Sequence, residues 1–268
     1  MTRTYHWADL TQDRLGELAD EDPVVILVLG AIEQHGRHLP LSTDLDIGLG
    51  LQQATLDALL ARQASVCALC LPPLAVGASD EHASYPGTLS LPAPLAIATL
   101  EAYGDSIAHA GLRRLLLLNS HGGNKAVMDL AALTLRRRHA MLVVKATYTR
   151  LAPPPNDWLP TEELRHGLHG GALETAIMLH LAPHKVEMSR AGHPQTSAES
   201  LAAAGKAVGP EGEASFAWLA EDLHADGVAG NATLADAALG ERLVAHYAER
   251  LAEIVIETQQ LTLPGSAP

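Results

Sequence analysis

Six consecutive apolar residues, Val24-Val25-Ile26-Leu27-Val28-Leu29, run up to Gly30. A strand with one face in water alternates apolar and polar residues, and this run has no polar face to offer. It therefore has to be covered on both sides, which is the condition of a strand inside a parallel sheet. The rest of the chain must supply the covering helices.

It does so at βαβ spacing. Residues 46–62 carry Ile47, Leu49, Leu51, Ala54, Leu56 and Leu59 at helical intervals, and 66–71 predicts a second strand halted by Pro72-Pro73. A turn-rich loop runs to Pro94, and 95–110 predicts a helix closed by Gly111. Strands are expected at 115–118 and 141–146, with a helix at 125–139 between them and a long closing helix at 235–260. Strand alternating with helix predicts an α/β fold, a three-layer α/β/α sandwich around a mainly parallel sheet. Residues 1–268 are expected to form a single domain. Pro153-Pro154-Pro155 reads as a stiff surface loop, 209–213 as a second excursion, and 264–268 as a disordered tail.

Composition excludes several classes. A formal charge of -13 and a pI near 5.4 repel phosphate backbones, so nucleic acid is not an expected partner. No apolar run approaches the ~20 residues that cross a bilayer, and residues 1–7 lack the apolar core of a signal peptide. The reading is cytoplasmic, with no membrane partner. Hydrophobic residues make up 47% of the chain, enough for a sizeable core and a subunit interface. Cys67 and Cys70 are three apart in a strand, so they face opposite sides as inert buried thiols.

Open α/β sheets bind ligands beyond the carboxyl ends of their strands. Beyond the first strand stand Glu33, His35 and, near the next helix, Asp44. Beyond the third comes Asn119-Ser120-His121-Gly122-Gly123-Asn124; beyond the fourth, after the proline loop, His169-Gly170-Gly171-Ala172-Leu173-Glu174 opens a helix. Carboxylates gathered at one sheet edge repel one another unless positive charge lies between them. A divalent ion meets that need, and carboxylate plus imidazole without thiolate suits zinc, manganese or iron. Three carboxylates and two imidazoles exceed what one catalytic zinc takes, so two ions are expected, with Asp44 as the bridge. Gly122-Gly123 also fits a plain strand-to-helix turn, or a phosphate cradle in a nucleotide-binding protein, although no P-loop or dinucleotide fingerprint accompanies it. Ser120 has no nucleophile elbow around it.

Residues 30–44, Tyr85-Pro86-Gly87-Thr88-Leu89-Ser90, Asn119-Ser120-His121-Gly122-Gly123-Asn124 and His169-Gly170-Gly171-Ala172-Leu173-Glu174-Thr175 resemble, in order, four motifs of the creatininase (creatinine amidohydrolase) family. The likeness runs from about Trp7 to the final helix. It implies a creatininase-like α/β/α sandwich that assembles into homo-oligomers, often hexamers. It implies Glu33, His35, Asp44 and His121 as metal ligands and His169 as the proton donor beside the substrate. The expected reaction is hydrolysis of a C–N bond in a small cyclic or linear amide by a hydroxide bridging two divalent ions, Zn²⁺ and/or Mn²⁺, with Fe²⁺ a further option.

The chain departs from creatininase where that enzyme has a metal-binding Glu, here Gly123, and a substrate-side Glu, here Leu168. Glu174 is expected to replace the missing ligand, as metal ligand or as substrate-side carboxylate. The His-Gly-Gly-Asn form is similar to the formamide deformylase and mycofactocin-precursor peptidase branches, and Asp80-Glu81-His82 to the latter. Glu81, His82, Gly122, Gly170 and Gly171 are expected to line the substrate, the last two through backbone N–H groups. The alternatives are a peptidase of the mycofactocin-precursor type and a non-catalytic metal-stabilised subunit. Residues 136–139 complement a helix C-terminus, and His180, His184 and His193 read as surface or structural.

Overall fold

A computed structural model describes residues 1–262; the expected tail from residue 264 lies outside them. Five strands form one sheet: β1 (Arg3–His6), β2 (Val24–Leu29), β3 (Cys67–Cys70), β4 (Arg114–Asn119) and β5 (Leu142–Thr147). Their spatial order is β1-β3-β2-β4-β5 and every neighbouring pair is parallel. All six residues of β2 are buried, as its sequence demands. The helices are α1 (Gln12–Ala19), α2 (Thr43–Ala61), α3 (Ala93–His109), α4 (Asn124–His139), α5 (Thr161–His166), α6 (Ala172–Leu181), α7 (Ser197–Ala203), α8 (Ala220–Leu223) and α9 (Ala237–Gln260).

Strand alternation sorts the core into two halves. Val24, Ile26, Val28, Ala68, Cys70, Leu116 and Leu118 face α2, α6 and α9. Val25, Leu27, Leu29, Cys67, Leu69, Leu115 and Leu117 face α1, α3 and α4. The architecture is thus the expected α/β/α sandwich. Each fully buried Leu or Ile contributes about 1.5–3 kcal/mol, so the paired faces of β2 and β4 anchor the molecule. Cys67 and Cys70 are buried on opposite faces with free thiols.

Several elements have no counterpart in the sequence reading, among them β1, α1 and the short helices α5, α7 and α8. β1 is a half-exposed edge strand of sequence Arg-Thr-Tyr-His, and α1 carries it back to β2. The excursion near 209–213 includes a short ladder, β6 (Val208–Gly209) with β7 (Ala214–Ser215). No helix among the described residues is long and apolar enough to cross a membrane.

Candidate functional site

The loops beyond β2, β3 and β4 and the turn into α6 meet at one edge of the sheet. Glu33 and His35 lie in the loop after β2, and Asp44 in the first turn of α2, where the helix dipole favours a negative charge. His121 follows β4. His169 precedes α6 and Glu174 lies in its first turn. Glu81 and His82 come from the loop after β3. Glu33, His35, Asp44, His82, His121 and His169 are all buried.

Local chemistry holds these loops. Asn119 brackets His121, donating to its carbonyl at 2.8 Å and accepting from its N–H at 3.3 Å. Asn124 donates to the Gly30 carbonyl at 3.1 Å and accepts from the Ala78 N–H at 3.1 Å, tying the β2, β3 and β4 loops together. Thr88 accepts from the Gln34 N–H at 3.1 Å, which explains why the Tyr85–Ser90 motif accompanies the first signature. The Ser120 hydroxyl donates to the Leu29 carbonyl, so it serves the backbone and is not poised as a nucleophile. Gly170 has φ +66, a left-handed turn natural to glycine, and its N–H donates to Glu174 Oε2 at 2.6 Å. That amide, expected to face a substrate, is engaged within the chain.

The donor atoms converge closely. Glu33 Oε1 lies 3.2 Å from His121 Nδ1, and His121 Nδ1 3.4 Å from Asp44 Oδ2. His35 Nε2 lies 3.5 Å from Asp44 Oδ1. Two ligands at about 2.1 Å from a tetrahedral zinc stand about 3.4 Å apart, so these separations suit a shared ion. Glu33 Oε2, His35 Nε2 and Asp44 Oδ2 are buried without a hydrogen-bond partner. A buried polar atom left this way costs free energy unless something completes it. Each imidazole is oriented by its other nitrogen: His35 Nδ1 meets the Glu33 carbonyl at 3.1 Å and His121 Nε2 the Ala78 carbonyl at 2.8 Å. This is the arrangement that points a ring's lone pair at a metal. Among the described residues four groups bring ligand atoms within 4.8 Å of one another: Glu33–His35–His169, Glu33–Glu81–His82, and the two that share Asp44, Glu33–Asp44–His121 and His35–Asp44–Glu174.

Electrostatics tell the same story. Burial alone would lower His35, yet Asp44, Glu174 and Glu33 lift it to about 10. Burial likewise opposes a charge on His121, and Glu33 with Asp44 still raises it well above its ordinary value. Burial works against the Asp44 charge, but His35 and His121 hold it below the usual carboxylate range. Burial raises Glu174 to about 7, with His35 opposing. The carboxylates thus draw positive charge into the site, and imidazolium protons supply it when nothing else does. His169 moves the other way, depressed by burial and by His35 and His82.

The substitution at Gly123 has a structural counterpart. A Cβ there would fall inside contact distance of the Ala78 carbonyl and 2.5 Å from Glu81 Oε1. Glu81 reaches within 3.7 Å of His121 Nε2, so its carboxylate fills the space a side chain at 123 would need. Gly122 is exposed, with open space around it. His38 is buried with its Nε2 2.9 Å from Thr175 Oγ1 and braces α6. Sequence reasoning also passed over Glu163. Buried, it accepts from the Ala172 N–H and the Asn231 N–H, each at 2.7 Å, and so fixes the start of α6 behind His169. Gly167, Gly171 and Gly230 pack against Glu163, leaving room for no side chain there.

A parallel α/β/α sheet with carboxylates and imidazoles focused at its carboxyl edge defines a hydrolase-type centre able to hold cations. Residues 8–255 match the family model for creatinine amidohydrolase. The mycofactocin precursor peptide peptidase of Mycolicibacterium smegmatis is 30% identical over 233 residues, covering 86% of this chain and 83% of that protein. The creatinine amidohydrolase of Pseudomonas putida is 28% identical over 206 residues, covering 71% and 76%. Among solved structures, a manganese creatininase superimposes with a TM-score of 0.78 over 95% of this chain and 98% of its own, at 24% identity, which shows the shared fold. A creatininase mutant of the Zn–Zn type gives 0.76 over 94% and 97%, at 25% identity. The chain belongs to the creatininase family, and it is an amidohydrolase of that family.

Proposed function

We propose that this amidohydrolase works with two divalent ions, zinc or manganese with iron(II) a further option, and cleaves a C–N bond in a small cyclic or linear amide. Glu33, Asp44 and His121 would hold one ion; His35, Asp44 and Glu174 would hold the other. The observation that carries this reading is the placement of Asp44, whose two oxygens face different histidines, Oδ1 toward His35 and Oδ2 toward His121. Such ions supply Lewis acidity to an amide carbonyl and bring the pKa of water near 7. The chain's own residues do the rest. His169 Nε2 is bonded to the Gln34 carbonyl at 2.7 Å, so its Nδ1 faces the site, 3.9 Å from Glu33 Oε1. In neutral form that nitrogen would take a proton from the attacking water and deliver it to the departing nitrogen as the C–N bond breaks, which makes His169 a shuttle. Glu81 and His82 would line the substrate side, with Gly122 and Gly171 at the backbone.

The likeness to peptide peptidases favours a second reading, trimming of a short peptide at the same centre. We also propose a cytoplasmic homo-oligomer, a hexamer in the family's manner. Leu130 and Leu133 on α4 are 57% and 69% exposed and give such an assembly apolar surface to cover. The test is hydrolysis of a panel of formamides, lactams and short peptides by protein stripped with chelator and reloaded with Zn²⁺ or Mn²⁺. Metal-restored cleavage of one class supports the reading and selects the substrate. Metal-loaded protein inert toward all of them would favour a non-catalytic subunit.

A further inference from the structure

Gln34 stands between two histidines, and its hydrogen bonds leave it no choice of orientation. The Gly36 N–H can only donate, and it reaches Gln34 Oε1 at 2.9 Å. The Gly227 carbonyl can only accept, and it takes a hydrogen from Gln34 Nε2 at 2.7 Å. Oxygen and nitrogen of the amide are thereby distinguished by the network. The second Nε2 hydrogen points at His82 Nδ1, 2.9 Å away, which has to accept it. A neutral imidazole accepting at Nδ1 carries its proton on Nε2. That Nε2–H lies 3.5 Å from Glu33 Oε1. The backbone carbonyl of the same Gln34 accepts from His169 Nε2, which leaves His169 Nδ1 with its lone pair toward the same Glu33 oxygen.

We propose that Gln34 is a positioning residue that sets the rings of His82 and His169 to opposite polarity around Glu33, one presenting an N–H and the other a lone pair. The rings are stacked with centroids 4.2 Å apart and planes inclined by 30°, so the two poles lie side by side. The consequence separates residues that proximity alone does not. Glu33, Glu81 and His82 bring ligand atoms within 4.8 Å, which on distance qualifies His82 to hold a cation. Its site-facing nitrogen carries a hydrogen, so His82 presents an N–H toward the Glu33 carboxylate 3.5 Å away and offers no lone pair to a cation. His169 is the ring able to receive a proton. The hydrogen positions stand independently of the proposed reaction; the kinetic consequence below rests on it.

Neutron diffraction from deuterium-exchanged crystals of zinc-loaded protein reads the polarity directly. The expected result is deuterium on Nε2 of both His82 and His169, and none on His82 Nδ1. A deuteron on His82 Nδ1 would overturn the proposal even if every variant failed to fold. Gln34→Glu replaces two N–H donors with at most one O–H, which the Gly227 carbonyl takes at the shorter distance, leaving an oxygen lone pair toward His82. It should move the His82 deuteron to Nδ1 and lower kcat about 10–100-fold, as for other residues that orient ligands, while zinc content stays within a factor of two. An unchanged His82 tautomer in that variant would also overturn the proposal. Expected tautomers in a protein that hydrolyses no amide would leave the inference standing and remove the functional reading. Amide turnover with deuterium on His82 Nδ1 would do the reverse.

Discussion

Asp44 Oδ1 stands 3.5 Å from His35 Nε2, and neither residue exposes more than 3% of its side chain. The other oxygen of Asp44 turns to His121. One carboxylate at a helix N-terminus therefore joins two imidazoles that arrive from different strands, and the predictions follow from that junction.

Asp44→Asn keeps the shape and removes the charge shared by both groups. Ligand-orienting residues outside a metal's immediate shell cost 10–100-fold when changed, and a ligand common to two ions should exceed about 100-fold in activity. Both ions should be lost together in a metal titration. Loss of one ion alone would argue against sharing.

Metal uptake should strengthen with pH across the neutral range. His35, raised to about 10, and His121, raised well above its ordinary value, both bind protons at pH 7 in the ion-free site. An ion needs their lone pairs, so binding releases those protons and apparent affinity climbs as pH rises toward the His35 value. An ordinary histidine would level off above about 6.5. Calorimetric titration of zinc in buffers of different ionisation enthalpy counts the protons released. Affinity flat from pH 7 to 9 with no release would contradict the account.

Gly123→Ala should destabilise the protein because the new methyl meets the Ala78 carbonyl and the Glu81 carboxylate. Overpacking of this kind costs about 1–3 kcal/mol, which for a chain of this size lowers Tm by roughly 2–4 °C per kcal/mol. Thermal denaturation checks it, and an unchanged Tm would show that the Glu81 loop yields freely.

Glu163→Ala strips the acceptor from two backbone N–H groups. Hydrogen bonds to a charged group are worth about 1.5–3 kcal/mol each, so a loss of about 3 kcal/mol is expected, with Glu163→Gln losing less. Denaturant unfolding measures the difference. Equal stability of the two variants would remove Glu163 from its place behind α6.

How much of this the sequence discloses depends on the range of the interaction involved. The unbroken apolar run of β2 announces a parallel sheet, and strand geometry separates Cys67 from Cys70. β1 is invisible because Arg3–His6 has no apolar pattern; pairing with β3 makes it a strand. The acid–histidine motifs foretell which residues meet at the sheet edge. Gln34 is silent, since its role lies in bonds to His82 and Gly227, 48 and 193 residues away. Glu163 is hidden for the same reason: one of its two N–H partners lies 68 residues on.

The most direct test of the two-ion account is elemental analysis of protein purified without chelator, as wild type and as Glu174→Ala. The account predicts near two equivalents of metal per chain, falling to near one in the variant because the Glu33–Asp44–His121 group stays intact. No bound metal in the wild type, and none taken up from added Mn²⁺ or Zn²⁺, would contradict it.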